Sequence, residues 1–479
     1  MSKTKAGIIL SAALLIGNIF QFFQSIIVVY FFAPDILVSY RFGVLVVSFF
    51  PLATLGMIDS IFYFISGRYE EDAGNYVGNT FIICTIISLF ILLIFHLILK
   101  PYVLIYTDMA PYLNEVSAYV YIGSFIFINL TAHNALVGYN QVTIASQVRV
   151  FQIGIRFIAI ASTLYFGIIQ SIHAFILLIV FLEIGQTFLY VLVLLRKKLL
   201  SFHFKDINRK AQLNYSFVLG ITRFVPFLSV NIDKIMIIML MGTSSFAIFS
   251  VAAVELPLAG IIISVFGSVL FSTYVKYAEA HDYQNIIKIW HNSSIRGMII
   301  NVPAGVCIFF YSDVLFRLLI PEDYYEGHRV LGIYALLLLL RFNSTDVLAK
   351  VLNKNTIILK ASTLGLITNI VGTYVFIKLF GLWGAALATL CGLVVTWLCY
   401  LRAYARLLES RVSHIFPWKP YANLMGISVT FFGVSKMMIH HIEISIALVI
   451  LGGVTYIYYV FTILDQTERD YILTRLKCR

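Results

Sequence analysis

From Gly7 to Phe32 the chain carries no charged side chain, and apolar stretches of this kind recur along its whole length. That recurrence constrains the fold more than any motif does. A helix needs about 20 consecutive apolar residues to cross the hydrocarbon core of a bilayer, and within hydrocarbon every backbone polar group must find its partner inside the protein. Composition agrees: of 479 residues, 60% are hydrophobic and only 12% charged, where a soluble globular chain has about a quarter charged. A water-soluble enzyme, a disordered chain and a small disulfide scaffold are excluded together. Cys84, Cys307, Cys391 and Cys399 sit inside apolar stretches and Cys478 in the C-terminal tail, with no metal-ligand spacing. Lys3 and Lys5 ahead of an apolar run superficially resemble a signal peptide, but the run is too long and lacks a small-residue cleavage site, so it reads as a first span.

The chain therefore reads as an all-α polytopic membrane protein of about 14 transmembrane helices. Spans are expected at about 8–32, 42–66, 76–99, 116–138, 150–169, 172–195, 213–241, 245–274, 294–319, 328–349, 356–378, 381–404, 421–440 and 443–464. Short cytoplasmic loops hold the excess of Lys and Arg. With the N-terminus inside, 25 of the 34 Lys and Arg fall on inside segments, Arg149 and Arg156 counted among them, and six fall outside, Arg41 included. Both termini are thus expected in the cytoplasm. The net charge of +11 becomes a topology signal instead of a nucleic-acid footprint. The longest outer connection, around Pro101 to Glu115, is too short to hold a catalytic domain, so no enzyme is expected.

An internal repeat supports a two-lobe plan. Ser39-Tyr40 through Pro51-Leu52-Ala53 aligns at an offset of 206 with Ser245-Phe246 through Pro257-Leu258-Ala259, in the second span of each proposed half. The expected organisation is a six-helix lobe over 1–198, a basic cytoplasmic linker over 199–212, a second six-helix lobe over 213–405, and two further helices with a basic tail over 406–479. Two pseudo-symmetric bundles are a known transporter plan, with substrate passing between them.

Ionisable side chains within spans cost about 2.5 to 3.5 kcal/mol each on insertion scales, so they face a cavity or a partner. The candidates are Asp59, Glu183, Arg223, Asp233, Lys234, Glu255, Arg341 and Asp346. Arg223 and Lys234 are eleven positions apart, which separates them by only about 20° in azimuth and about 16 Å in rise on one helix. A cationic spine of that kind suits an anion. Asn231 lies about 80° to one side of it, and Pro226 can bend the helix between the two cations. The alternative is that Arg223, Asp233 and Lys234 pair with charges on adjacent helices and hold the bundle together. Asp59 and Glu255, in corresponding halves of the repeat, are candidate proton- or cation-coupling groups or packing partners for Arg341 or Lys234. Arg341 and Asp346, about 140° apart on one helix, are not expected to neutralise each other. Glu183 is open between cavity and helix contact. His133, beside Asn129, Thr131 and Asn134, reads as part of an interhelical hydrogen-bonding cluster. His440-His441 has no second ligand cluster, so no metal is expected.

Asn231-Ile232-Asp233-Lys234-Ile235, followed by Met241-Gly242-Thr243 and Phe246 through Ala252, resembles the segment that opens the second half of polysaccharide-export flippases. Gly381-Leu382-Trp383-Gly384-Ala385-Ala386 and the stretch from Leu331 through Arg341 to Asn355 are similar to two further family segments. The resemblance is to the multidrug/oligosaccharidyl-lipid/polysaccharide (MOP) exporter superfamily, and within it to the Wzx-type flippases of O-antigen and capsule repeat units. It implies a MATE-like fold in a bacterial inner membrane. It also implies alternating access for an undecaprenyl-diphosphate-linked oligosaccharide, no cofactor, and H+ or Na+ coupling. The implied partners are membrane lipids and other glycan-assembly proteins, such as a polymerase and a chain-length regulator. Arg223, Lys234, Asn231 and Arg341 would line the substrate cavity, with Asp59, Glu255, Asp233, Glu183 and Asp346 in ion coupling or cavity pairing. One departure matters: lipid II flippases carry arginines in the first span, whereas Ile9 to Phe32 has no charge, and this argues against that subfamily. A multidrug antiporter of the same superfamily is the second reading.

Overall fold

The computed structural model describes the chain apart from residues 1–2, 66–71, 102–109, 204–207, 254–269, 272, 439–441 and 464–479. The described residues are predominantly helical, and no strand occurs among them. Nine helices among them are long and apolar enough to cross a membrane. On α5 (Ala73–Ile94), Ile86, Leu89, Phe90 and Leu93 are more than half exposed. A run of bare apolar side chains like this on a helix of spanning length is a surface for lipid, not water. The architecture is thus an all-helical polytopic membrane fold, as the apolar recurrence requires.

Residues gather into two compact units, the first comprising 1–252, 319–327 and 362–389, the second 253–318, 328–361 and 390–479. In the first unit, α1 (Lys3–Phe31) packs along α7 (Val142–Tyr165), and α6 (Leu113–Gly138) packs on α8 (Ile172–Arg196) and on α2 (Pro34–Ser48). Phe50, Phe127, Val116 and Cys84 form part of its core. The repeat's first copy begins on α2. The described start of the second copy forms α10 (Thr243–Ala252), which lies against α2 with Val38 and Ala247 buried and Phe42 and Phe246 edge to face. Pro257, Leu258 and Ala259 lie outside the described residues.

Two expected spans are broken helices. The segment expected at 42–66 consists of α2, a four-residue α3 (Phe50–Ala53) and α4 (Met57–Phe64), parted at Thr54 to Gly56, where Gly56 adopts a left-handed φ of +79°. Pro51 sits at the start of α3, where its missing N–H costs nothing, and Gly56 supplies a conformation that a side chain would resist. In the second unit the segment expected at 328–349 divides into α12 (His328–Ala335), a 3₁₀ turn over Leu336–Leu339, irregular backbone from Leu340 to Asp346, and α13 (Val347–Val351). Between these two breaks in the chain runs α11 (Tyr283–Leu319), with Pro303 inside it.

Irregular backbone at membrane depth is tolerated only where protein satisfies it, and the break at 340–346 is supplied accordingly. Asn301 donates to the Arg341 carbonyl at 2.6 Å. Tyr404 donates to the Thr345 carbonyl and accepts from the Ala349 N–H at 3.3 Å. Asn343 donates to Ser293 at 2.8 Å. Trp290, Phe342, Trp397, Tyr404 and Phe416 pack around these groups as the core of the second unit.

Candidate functional site

The candidate site is built on α9 (Arg209–Met241), whose start is capped by the Asn208 side chain accepting from the Ala211 N–H at 2.9 Å. One turn in, Gln212 is fully buried and holds the helix to its neighbours. It accepts from Asn79 at 2.8 Å and donates to Thr80 at 3.0 Å. Ser216 then donates to the Met57 sulfur at 3.0 Å. Buried amides that satisfy one another fix the rotation of a helix better than apolar contact does.

Two turns above Gln212 the backbones of α4 and α9 meet through glycine. A Cβ on Gly220 would lie 2.5 Å from the Leu55 carbonyl carbon, and one on Gly56 would lie 2.5 Å from the Ser216 oxygen. Three residues beyond each of these glycines stands a charge. Asp59 in the first turn of α4 and Arg223 on α9 form an ion pair through Oδ2 and Nη1. The Arg223 side chain is 61% exposed and that of Asp59 20%, so the pair lies at an open face and not in the core.

Further along the same helix, α9 continues through Pro226 to Lys234, whose Nζ hydrogen-bonds the Asn231 side chain at 3.4 Å. Asn231 in turn donates to the Phe227 carbonyl at 3.1 Å. Among the described residues no carboxylate pairs with the Lys234 ammonium. Asp233, the next residue and so about 100° around the helix, faces a different neighbour: it is fully buried and accepts from Thr389 at 3.0 Å. Asn369 donates to the Ser229 carbonyl at 3.2 Å on that same flank. One side of α9 is thus anchored by buried polar contacts and the other presents Arg223 and Lys234.

The other expected site residues lie elsewhere. Glu183 is buried on α8, where Arg156 donates to it at 2.5 Å and Asn129 at 3.2 Å, while Thr187 donates to Asn129 at 2.9 Å. Glu183 is therefore a helix contact. Arg156, counted above with the cytoplasmic charges, is corrected by this pairing: it sits in the interior of α7, with the Tyr119 and Tyr40 phenols near its guanidinium. Arg41 likewise lies within α2 and donates to Ser25 at 2.7 Å. Arg341 and Asp346 do not share a helix but fall on the irregular stretch of the second unit, where Asp346 pairs with Lys350 and accepts from Ser344 at 2.7 Å. His133 meets Tyr190 at 3.2 Å and Asn134 donates to the Ile58 carbonyl at 3.3 Å, as an interhelical cluster. Glu255, His440 and His441 lie outside the described residues.

Sequence reasoning missed Arg156 and the glycine contact. An arginine seven residues inside the apolar stretch 150–169 was a visible signal for the first. The second had none, since a lone Gly56 and a lone Gly220 announce nothing until the helices are placed.

No family model and no curated protein sequence matches the chain. Among solved structures, it is similar to the lipid II flippase MurJ in an inward closed conformation, with a TM-score of 0.70 and 14% identity over 97% of this chain and 100% of that one. It is similar also to an inward-facing multidrug resistance MATE family transporter of the MOP superfamily, with a TM-score of 0.69 and 13% identity over 84% and 99%. A MOP superfamily transporter from Pyrococcus furiosus, described by a reversed polarity of its binding pocket, matches with a TM-score of 0.56 and 16% identity over 86% and 98%. At these identities the likeness establishes the fold, which is the one shared by MurJ and the MATE transporters.

Proposed function

We propose that this protein is a flippase that carries a polyprenyl-diphosphate-linked oligosaccharide, an O-antigen or capsular repeat unit, from the cytoplasmic to the outer leaflet of a bacterial inner membrane. The observation that carries the reading is the open face of α9, where the exposed Arg223 guanidinium and the Lys234 ammonium follow one another along one helix. The physical problem is to move two phosphate charges and a hydrated glycan past about 30 Å of hydrocarbon. Cations on a wet helix face replace the water that the phosphates lose, while the prenyl tail stays in lipid. Guanidinium suits phosphate because its planar fork of donors binds two oxygens at once. Alternating exposure of that face to the two sides of the membrane would complete transport, with H+ or Na+ as the coupling ion. A polymerase and a chain-length regulator would be neighbours in the same assembly line.

The likeness to MATE transporters supports a second reading, a cation-coupled multidrug antiporter of the same superfamily. A site for cationic drugs needs a carboxylate free to meet them. Of the carboxylates expected within spans, the four described are already engaged: Asp59 by Arg223, Glu183 by Arg156, Asp346 by Lys350, and Asp233 by Thr389. That balance favours an anionic cargo.

The test is surface glycan in a strain dependent on this chain. Arg223→Ala or Lys234→Ala should abolish it while the protein remains in the membrane at near-normal abundance. Retained glycan in both single variants and in the double variant would sink the diphosphate role. Loss of drug resistance, with glycan intact, would establish the antiporter in its place.

A further inference from the structure

The cation best placed for a diphosphate is not vacant. Arg223 Nη1 already faces Asp59 Oδ2, and the two side chains meet because the Gly56–Gly220 contact fixes the backbones on which they stand. We infer that Asp59 is a built-in competitor for the substrate's phosphate. It holds Arg223 in the empty site, is displaced from it by the incoming anion, and thereby sets how tightly the diphosphate is held. The inference rests on the flippase reading.

Three observations support it. First, a guanidinium has five N–H donors, Asp59 takes one edge of this one, and the side chain is 61% exposed, so an anion can approach the remaining donors before the carboxylate departs. Second, Asp59 occupies the first turn of α4, where the helix dipole stabilises a carboxylate without any cation. Displacement therefore leaves Asp59 partly compensated, unlike Glu183, whose buried pairing with Arg156 has no such outlet. Third, a lipid-linked diphosphodiester carries two negative charges, matched in number by the positive charges that Arg223 and Lys234 place along α9. A carrier must release what it binds, and Asp59 lowers the net charge of the face by one and returns to Arg223 as the ligand leaves. Asp59 is thus a positioning residue that acts through Arg223.

The experiment measures binding of inorganic pyrophosphate and of farnesyl diphosphate to the purified full-length protein in lipid nanodiscs, by calorimetry. Asp59→Asn is expected to tighten both roughly three- to tenfold, the fold-change that matches loss of a partly exposed competing ion pair together with its repulsion of the ligand. Asp59→Glu, which keeps the charge, should remain within about twofold of wild type. In an Arg223→Ala background, where binding is weak, Asp59→Asn should add nothing; this non-additivity separates competition for Arg223 from a general change in field. Asp59→Ser serves as a second neutral variant, and monodisperse elution verifies the fold of each. Unchanged or weaker binding in both neutral variants would overturn the inference, as would an equal tightening in the Arg223→Ala background. If Arg223→Ala binds both probes as wild type does, the flippase reading falls and the inference with it. If Arg223→Ala loses binding but Asp59→Asn gains none, the inference alone falls.

Discussion

Gly56, in the break just before α4, and Gly220 on α9 face each other with no room for a Cβ on either: each would come within 2.5 Å of the opposing backbone. The contact sits one helical turn below the Asp59–Arg223 pair and sets its geometry. Gly220→Ala should therefore force the helices apart. A methyl group wedged against backbone costs about 1–3 kcal/mol, and Gly56→Ala should cost about 1 kcal/mol more because Gly56 also holds a φ of +79°. Thermal unfolding of detergent-solubilised protein, followed by size-exclusion elution, checks the order. An Ala at either position that melts with the wild type would show the contact to be looser than it stands.

The Arg156–Glu183 pair differs from Asp59–Arg223 in burial, and so in what its removal costs. Glu183→Ala leaves a largely buried guanidinium, 26% exposed, without its carboxylate, a loss of about 3 kcal/mol. The expected result is little folded protein at 37 °C. Replacing both groups by apolar residues, as in Arg156→Met with Glu183→Leu, should recover most of the stability, because the desolvation of two charges disappears with the pair. A double variant no more stable than Glu183→Ala would mean that Asn129 and Thr187, which complete the network, depend on the charge.

The number and position of apolar stretches made the helical membrane fold legible in the sequence, because a bilayer leaves the backbone almost no alternative. That Asp233 and Lys234 serve different neighbours on α9 follows from their adjacency, which sets them about 100° apart around the helix. What the sequence hid lies where helices stop being regular. The stretch from Leu340 to Asp346 is polar at five of its seven positions, which marks a charged patch within the expected span but not where the helix stops; Asn301 and Tyr404, distant in sequence, donate to its carbonyls in place of helical neighbours. No pattern local to 328–349 encodes those partners. Arg156 was misplaced for a related reason: a charge count along the chain assigns a residue to a side of the membrane, and cannot see the glutamate across the bundle that keeps it within.

The break in the second unit gives a graded stability series. Asn301→Ala removes the donor to the Arg341 carbonyl and Tyr404→Phe the donor to the Thr345 carbonyl. Each takes the side-chain donor from a half-buried carbonyl and should cost about 1–1.5 kcal/mol. By contrast Asp346→Asn breaks only an i,i+4 pair with a half-exposed Lys350, worth about 0.3–0.5 kcal/mol. Thermal elution should therefore rank Asp346→Asn close to wild type and well above the other two. Asp346→Asn as damaging as Asn301→Ala would assign that carboxylate a role beyond its visible partners.

Arg223→Lys separates charge from shape. Lysine keeps the positive charge on α9 but offers a point cation in place of a fork, and cannot hold Asp59 and a phosphate on different edges at once. If the guanidinium works as proposed, Arg223→Lys should lower the initial rate of glycan export about tenfold, equivalent to ~1.4 kcal/mol, with normal protein abundance. Lys234→Arg should be tolerated, since among the described residues Lys234 is paired only with the neutral Asn231, which an added donor fork need not displace. Export rates are read from the appearance of labelled glycan at the surface after a pulse of precursor. Equal activity of Arg223→Lys and wild type would reduce Arg223 to a source of positive field, and the anion would then be held by charge without a defined geometry.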